Sequence, residues 1–406
     1  MKAAVIFLSF FAVLPFAIAM DEMTVYELLS PDSHQFAIRY DVSTDTANST
    51  FFFNIIRPGS EASNERVIDR ATGQELKFVM TTAKEAKAYH QAEANESNKT
   101  KYIKVMLPHL VPENGEYRLR IFKTYLDKKS YYSKGNQIIF DRSLSVKRNE
   151  LLLPKGFKLS ASSVPVIVAT ETDGRVRLSM VNDRDDELMV HIVATKTDSE
   201  FRPAAELVKQ DQTETPDEPE FFHRAEDDRE ITYWMLSPES HQFRFSHDFN
   251  IVRAGQKYAH SFVRKGSTVS ADDVTFIDLD TGKKLKTTIV SGKEVNALGY
   301  YPEKSDDDDV VVQGELLQPV PDAGSVRIRV METYTDENRY YLDKNGELIW
   351  DRTFGRPRNT LTLPEHWVLT SCSVPAIIKE DEKGLTQLIF NNPRNDEVHV
   401  VLRAHR

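Results

Sequence analysis

The stretch Val326-Arg327-Ile328-Arg329-Val330 alternates apolar and charged residues with a period of two. Tyr117-Arg118-Leu119-Arg120-Ile121 shows the same alternation in the first half of the chain. Successive side chains of a strand point to opposite faces, so the pattern predicts strands with one face on a core and one in water. Phe51-Phe52-Phe53 and Val310-Val311-Val312 add short runs of β-forming residues and extend the prediction to other segments.

Turn signals separate the predicted strands. Asn345-Gly346 has the composition of a type I′ hairpin, and Thr72-Gly73 and Thr281-Gly282 predict two more hairpins. Helical patterning is best at Thr82 to Glu96, where we expect a single helix or an ordered loop, with a shorter counterpart near Lys293 to Leu298. Many short strands with frequent turns predict an all-β chain of β-sandwiches, Ig-like or jelly-roll-like.

A long internal repeat predicts two copies of one domain. Ser30-Pro31-Asp32-Ser33-His34-Gln35-Phe36 recurs as Ser237-Pro238-Glu239-Ser240-His241-Gln242-Phe243, and Ser163-Val164-Pro165 recurs as Ser373-Val374-Pro375. The offset grows from 207 to 210 residues, whereas the units of a solenoid run to roughly 20 to 50 residues. The repeat therefore indicates tandem sandwich domains.

The N-terminus and the middle of the chain differ in composition from the two copies. Lys2, the apolar run Ala3 to Ile18 and the small residues of Ala17-Ile18-Ala19 are typical of a secretory signal peptide, with an uncleaved membrane anchor as the alternative. Residues 195–230 hold twelve acidic and five basic residues, which predicts an extended, self-repelling linker. The predicted units are a signal peptide at 1–19, a first sandwich at 20–194, an acidic linker at 195–229 and a second sandwich at 230–406.

Composition narrows the classes of function. The net charge of −10 over 406 residues argues against nucleic-acid binding, because phosphate binding is driven by Lys and Arg. Cys372 is the only cysteine, so no intrachain disulfide can form, and we expect it to be a buried strand residue. We expect a secreted or periplasmic protein without a transmembrane segment after signal cleavage. The Asn48, Asn95 and Asn98 sequons matter only for a eukaryotic source.

The chain contains none of the common catalytic or metal-binding motifs. G-x-S-x-G, H-E-x-x-H, the P-loop, the dinucleotide fingerprint and C-x-x-C are all absent from the sequence, so we expect no cofactor and no metal. The acidic run Asp306 to Asp309 offers hard oxygen ligands for Ca²⁺, but a solvated loop is the favoured interpretation. His34 and His241 are expected to be turn residues that bond to a neighbouring strand.

Duplicated Tyr and Arg residues are the candidates for ligand binding. Exposed Tyr beside Arg is typical of binding surfaces, and Arg suits carboxylates. Adjacent strand residues face opposite sides, so one Tyr of each pair should lie in the core. The alternatives are core packing for the tyrosines and an internal salt bridge for Arg142 and Arg352. The candidate patch comprises Tyr340, Tyr341, Arg352, Arg356 and Arg358 in the second copy and Tyr131, Tyr132, Arg142 and Arg148 in the first.

Three functions are compatible with these observations. The first is a non-catalytic binding or structural protein, in which two domains on a flexible linker give avidity for a protein or, as second choice, a polysaccharide. The second is a hydrolase with paired carboxylates, for which Asp351 with Glu332 or Asp336 is the candidate pair. The third is a pair of accessory domains that works beside a separate enzyme. Oligomeric state stays open.

Overall fold

The computed structural model describes residues 23–89, 91–92, 94–184, 186–197, 228–269, 273–301, 304–392 and 397–406, with backbone only for 228–230. The predicted signal peptide and nearly all of the predicted linker lie outside the described residues. The strands are β1 Met23–Leu28, β2 Gln35–Thr44, β3 Phe51–Ile55, β4 Glu61–Asp69, β5 Phe78–Thr82, β6 Lys101–Met106, β7 Tyr117–Leu126, β8 Tyr131–Lys134, β9 Gln137–Leu144, β10 Arg148–Leu152, β11 Phe157–Ser162, β12 Ile167–Thr170, β13 Val176–Val181, β14 Leu188–Lys196, β15 Asp228–Met235, β16 Gln242–Ile251, β17 Tyr258–Phe262, β18 Thr268–Val269, β19 Thr275–Asp278, β20 Lys283–Lys284, β21 Lys286–Ser291, β22 Val310–Glu315, β23 Val326–Thr335, β24 Tyr340–Leu342, β25 Leu348–Phe354, β26 Arg358–Thr362, β27 Val368–Cys372, β28 Ile377–Glu380, β29 Thr386–Asn391 and β30 Val398–His405.

Strands take up 54% of the chain and helices 6%, which confirms the all-β class. The described residues include two short helices, α1 Ala83–Ala88 and α2 Gly292–Leu298. The helix expected within Thr82 to Glu96 therefore spans six residues. The helix of the second copy was expected to be the shorter one, but with seven residues it is the longer of the two. The reason is local, because Ser291 and Glu294 form a capping box at α2, whereas Thr82 makes no side-chain cap at α1.

Both halves repeat one sheet arrangement, as a duplication would produce. The large sheet of the first half has the order β12-β13-β10-β1-β2-β7-β4, and that of the second half follows β28-β29-β26-β15-β16-β23-β19-β20, with β18 also on β23. The first strand pairs in parallel with β10 in one half and with β26 in the other. Each half adds a four-stranded sheet, β11-β14-β9-β8 or β27-β30-β25-β24, and a three-stranded sheet, β3-β6-β5 or β17-β22-β21.

Each half buries its own hydrophobic core between these layers. In the first half, Phe36 and Ile121 of the large sheet pack in one cluster with Phe140 of the four-stranded sheet and Val105 of the three-stranded sheet. The equivalent cluster of the second half consists only of residues from that half, with Trp350 at 0% exposure. The large sheet thus forms one layer of each sandwich, and the two smaller sheets share the other. This arrangement confirms the sandwich prediction.

The second face of β7 and β23 does not point into water, contrary to the expectation from the alternating pattern. Arg118 and Arg327 are 1% and 0% exposed because the two halves dock against each other there. Arg118 donates to both carboxylate oxygens of Asp280 at 2.7 Å, and Arg327 Nε lies 3.5 Å from Glu116 Oε1. The copies therefore share buried ion pairs, which the sequence pattern did not predict.

Backbone contacts in this interface follow the internal repeat. Glu116 N donates to the Leu279 carbonyl oxygen at 2.8 Å, and the equivalent Ser325 N donates to the Arg70 carbonyl oxygen at 3.2 Å. A Cβ on Gly324 would lie 2.1 Å from a carbonyl oxygen of the first half, so this close approach requires glycine. The halves meet through self-complementary surfaces, and the expectation of two domains free to move on a flexible linker is wrong.

Candidate functional site

Each half carries a pocket at the same place in its sandwich. In the described part of the chain, no strand of the four-stranded sheet pairs with the three-stranded sheet, and the gap between them opens onto the large sheet. The first pocket, about 350 Å³, lies between β3 and β9 above Tyr26, Tyr40 and Tyr125. The second pocket, about 540 Å³, lies between β17 and β25 above Tyr233 and Tyr334. The split outer layer of the sandwich thus creates both pockets.

A buried guanidinium forms one wall of each pocket. Arg142 lies 3.3 Å from Asp127 Oδ2, and the equivalent Arg352 lies 2.7 Å from Asp336 Oδ2. The Arg142 guanidinium carbon is 5.4 Å from the centre of the Tyr125 ring. Burial lowers the pKa of Arg352, although an arginine keeps its charge at any ordinary pH. These pairs are internal salt bridges, as the sequence analysis proposed, but they also line the pockets.

The floor of the first pocket holds a buried lysine. Lys123 lies on the core-facing side of β7, where its Nζ donates to Asn54 Oδ1 at 2.6 Å and to the Ile55 carbonyl oxygen at 3.3 Å. Both partners are neutral. Burial lowers the pKa of Lys123 to about 7, with a further contribution from the Arg142 cation. Water exclusion and a neighbouring positive charge both disfavour the ammonium form, so this amine titrates near neutral pH.

The equivalent residue of the second half carries the opposite charge. Glu332 is 0% exposed on the core-facing side of β23, beside the pocket-lining residues Ser261 and Tyr334. Burial raises its pKa to about 7. The Ser261 and Tyr334 hydroxyls lie close enough to oppose this rise, but neither carboxylate oxygen has a partner at full hydrogen-bond geometry within the residues that the structure describes. An ionised carboxylate without such partners is costly in a sandwich core, and protonation relieves that cost.

The pocket rims repeat a basic and an acidic residue. Arg57 and Glu187 line the first pocket, and Arg264 and Glu397 line the second. The Arg57 guanidinium donates to the Ser143 carbonyl oxygen and hydroxyl, both at 2.8 Å. Burial lowers the pKa of Arg57, and repulsion from Arg142 lowers it further. Each opening thus combines fixed hydrogen-bond donors with charge of both signs.

The second pocket contains an additional histidine. His260 Nδ1 lies 3.0 Å from the Tyr301 hydroxyl, and its Nε2 lies 2.9 Å from Gln313 Oε1. Burial lowers the pKa of His260, which favours the neutral ring. His260, Tyr301 and Arg253 line this pocket, which is larger than the first.

The structure separates the residues of the predicted binding patch. Arg142, Arg352 and Arg356 line the pockets. Tyr131 and Tyr340 are 0% exposed, and their hydroxyls donate to backbone carbonyls, so they cannot contact a ligand. The remaining predicted residues are partly buried and lie outside both pocket linings: Tyr132, Arg148, Tyr341 and Arg358.

The repeated histidines have the expected structural role. The Nδ1 atoms of His34 and His241 hydrogen-bond to the carbonyl oxygens of Tyr131 and Tyr340, at 3.1 and 2.9 Å. Both histidines adopt positive φ values, 54° and 56°, at the end of a single 3-10 turn. They fix the first turn of each copy to the four-stranded sheet.

The candidate carboxylate pair of a hydrolase does not converge. Asp336 is bound by Arg352, Arg339 and Ser267. Asp351 pairs instead with His399 at 2.6 Å, on the opposite face of β25 from its neighbour Arg352. No observation on these residues supports a shared catalytic site.

Two further candidates from the sequence have ordinary surroundings. Asp306, Asp308 and Asp309 form a surface cluster of carboxylates, in which Asp306 already pairs with Lys265. Cys372 is partly buried at the end of β27, where its thiol contacts the Val374 carbonyl oxygen at 3.2 Å. Neither feature points to a ligand.

Lys123 was missed as a pocket residue and Glu332 as a buried neighbour of the second pocket, although the sequence carries their signal. The apolar positions Tyr117, Leu119 and Ile121 continue with the same period to Lys123 and Tyr125. A charged residue at a core-facing position of a strand is rare unless it is paired or lines a cavity. The same break in the pattern occurs at Glu332, and the repetition makes it a stronger signal.

Comparisons with known proteins leave the family open. No family model and no curated protein matches the chain. An M1 zinc metallopeptidase from Deinococcus radiodurans is similar over 43% of this chain and 41% of its own, at 10% identity and a TM-score of 0.28. A protein from Parabacteroides distasonis described as a protease is similar over 94% of this chain and 92% of its own, at 11% identity and a TM-score of 0.25.

A third similar structure is a collagen adhesin from S. aureus, at 7% identity and a TM-score of 0.17 over 82% of this chain and 84% of the adhesin. This chain spans about two fifths of the length of the metallopeptidase. At these identities and TM-scores the neighbours give no specific function. Across the described residues, none of the helices is both long and apolar enough to traverse a bilayer.

Proposed function

We propose that this chain is an exported, non-catalytic binding protein in which each half offers one ligand pocket. The observation that carries the proposal is the recurrence of the pocket at equivalent positions of both halves. Tyr26 and Tyr233, Tyr125 and Tyr334, and Arg142 and Arg352 occupy the same places. A concave site with apolar walls and a few fixed polar groups is the usual form of a ligand pocket.

The comparison of the two floors favours binding over catalysis. An acid–base step needs a group of defined charge and proton affinity at a fixed place. Lys123 lines the first pocket, whereas the equivalent Glu332 has the opposite charge and is buried behind the lining of the second, so the two pockets do not share such a step. What they share is enclosure, aromatic walls and a buried guanidinium, which orient a ligand without reacting with it.

The size of the pockets supports a polymer as the ligand. Volumes of about 350 and 540 Å³ lie at the lower end of the range for ligand sites, and each would hold one or two residues of a protein segment or of a polysaccharide. Because the halves are docked, the distance between the pockets is fixed. One polymer chain that reaches both pockets would bind with a raised effective concentration at the second.

The test is to block the pockets from their rims. Ser145 and Gly355 follow β9 and β25 and line the two pockets, so Ser145→Trp and Gly355→Trp should close them without touching the core. The full chain is applied to arrays of glycans and peptides, and the double variant should lose the ligands that the wild-type chain retains. Ser133→Trp, on an exposed position of β8 outside both pockets, is the matched control.

Two results would count against the proposal. Equal binding by the wild-type chain and the double variant would place the ligand elsewhere. Cleavage of a retained ligand, measured on the same arrays by mass spectrometry, would contradict the non-catalytic assignment.

A further inference from the structure

The charges around the first pocket are unevenly balanced. Arg57, Lys123 and Arg142 all line it, and the one buried carboxylate among their partners is Asp127, which Arg142 contacts at 3.3 Å. Glu187 stands exposed at the rim. Two arginines and a lysine therefore face a small space, with Glu187 at its rim and Asp127 behind Arg142.

The cations of this pocket repel one another. Arg142 lowers the pKa of Lys123 and that of Arg57 through its charge, in addition to the effect of burial. Glu65 opposes this repulsion at Lys123, and Glu187 opposes it at Arg57. An anion bound between the cations would relieve the repulsion, because an opposite charge stabilises each charged form.

Donors are also available for such an anion. Within the described residues, Arg142 Nε is buried without a hydrogen-bond partner, although the side chain is 7% exposed and lines the pocket. Lys123 Nζ has only the neutral acceptors on Asn54 and Ile55. Hydrogen bonds between ionised groups are roughly twice as strong as those between neutral ones, so a carboxylate fits these donors better than a neutral group does.

We infer that the first pocket binds a carboxylate group. The inference rests on the proposed binding function and specifies the ligand chemistry of one of its two pockets. In the second half Glu332 takes the position of Lys123, but it is fully buried behind the pocket-lining residues Ser261 and Tyr334. Arg352 is retained but its partner Asp336 contacts it more closely, at 2.7 Å.

The test uses small probes and the full chain. D-glucuronate and N-acetylglutamate supply the carboxylate from a sugar and from a peptide, and glucose and N-acetylglutamine are their neutral controls. Dissociation constants are measured by ligand-observed NMR for the wild-type chain, Ser145→Trp, Gly355→Trp and Lys123→Met. We expect carboxylate binding to weaken about tenfold or more in Ser145→Trp and Lys123→Met and to persist in Gly355→Trp. The stronger of the two probes identifies the source of the group.

A measurement on the wild-type chain tests the inference without relying on variants that could misfold. Carboxylate affinity should fall between about pH 6 and about pH 8, because Lys123 loses its proton in this range, while glucose and N-acetylglutamine should show no such change. The inference is overturned if carboxylate binding is unchanged both in Lys123→Met and across the pH range, or if only Gly355→Trp abolishes it. If carboxylate binding fails these tests but the arrays still show binding that Gly355→Trp abolishes, the inference is wrong and the proposed function stands. If neither the carboxylates nor the array ligands bind in the pockets, both are wrong.

Discussion

Replacement of Glu332 by glutamine should stabilise the second half of the protein above neutral pH. Burial raises the pKa of Glu332 to about 7 from an ordinary value of 4.5, and this difference corresponds to about 3 kcal/mol of unfolding free energy. Between these two pH values the folded state binds more protons than the unfolded state, so the free energy of unfolding of the wild-type chain falls as pH rises. Glutamine cannot ionise, and Glu332→Gln removes this loss.

Tryptophan fluorescence isolates the relevant half. The chain has three tryptophans, Trp234, Trp350 and Trp367, and all lie in the second half. Urea unfolding followed by this signal therefore reports the unfolding of the half that contains Glu332 and not that of the first core. The midpoints of the wild-type chain and of Glu332→Gln should nearly coincide at about pH 4.5, and the variant should be more stable by about 3 kcal/mol at about pH 8.

A matched variant corrects for the change in net charge. Glu382→Gln removes the same charge from an exposed hairpin of the same half, and its pH dependence is subtracted. If Glu332→Gln gives curves parallel to the wild-type chain from pH 4.5 to pH 8, Glu332 is not a buried carboxyl with a raised pKa. The interpretation of the pocket floor would then be wrong.

The remaining predictions concern the buried pairs. Asp336→Ala leaves Arg352 buried without its carboxylate and should lower the free energy of unfolding of the second half by about 3 to 5 kcal/mol in the tryptophan assay; Asp308→Ala on an exposed loop is the control, and a loss below 1 kcal/mol would contradict the burial of the pair. A protease site inserted in the linker should yield two fragments that co-elute in size-exclusion chromatography, whereas Arg118→Ala should separate them; separate elution of wild-type fragments would refute the docked arrangement.

The sequence predicted the strands well because their cause is local. The alternation at Tyr117 to Ile121 and at Val326 to Val330 fixes which side chains face the core, and a period of two leaves little choice of register. The Asn345-Gly346 hairpin likewise depends on adjacent residues, and β24 and β25 pair across it. The all-β class follows from such short-range patterns.

The docking of the two halves was not predictable by the same logic. Arg118 and Arg327 have the pattern of water-facing residues, and only the approach of the other half buries them. Their partners Asp280 and Glu116 are distant in sequence, and no periodicity links them. An isolated strand pattern cannot distinguish a solvated arginine from one that is buried by a second domain with a matching carboxylate.

Residues of the pockets and residues of the interface lie on the same strands in both halves. β7 directs Lys123 towards the first pocket and Arg118 towards the second half of the protein. β23 places Glu332 in the core beside the second pocket and Arg327 against the first half. A change of charge at the floor therefore leaves the interface residues untouched, because neighbouring positions on a strand face opposite sides. The interface can therefore hold the two pockets at a fixed distance while the charge at the Lys123 and Glu332 positions differs. A ligand with two unlike groups would gain from the fixed distance and from the difference in charge.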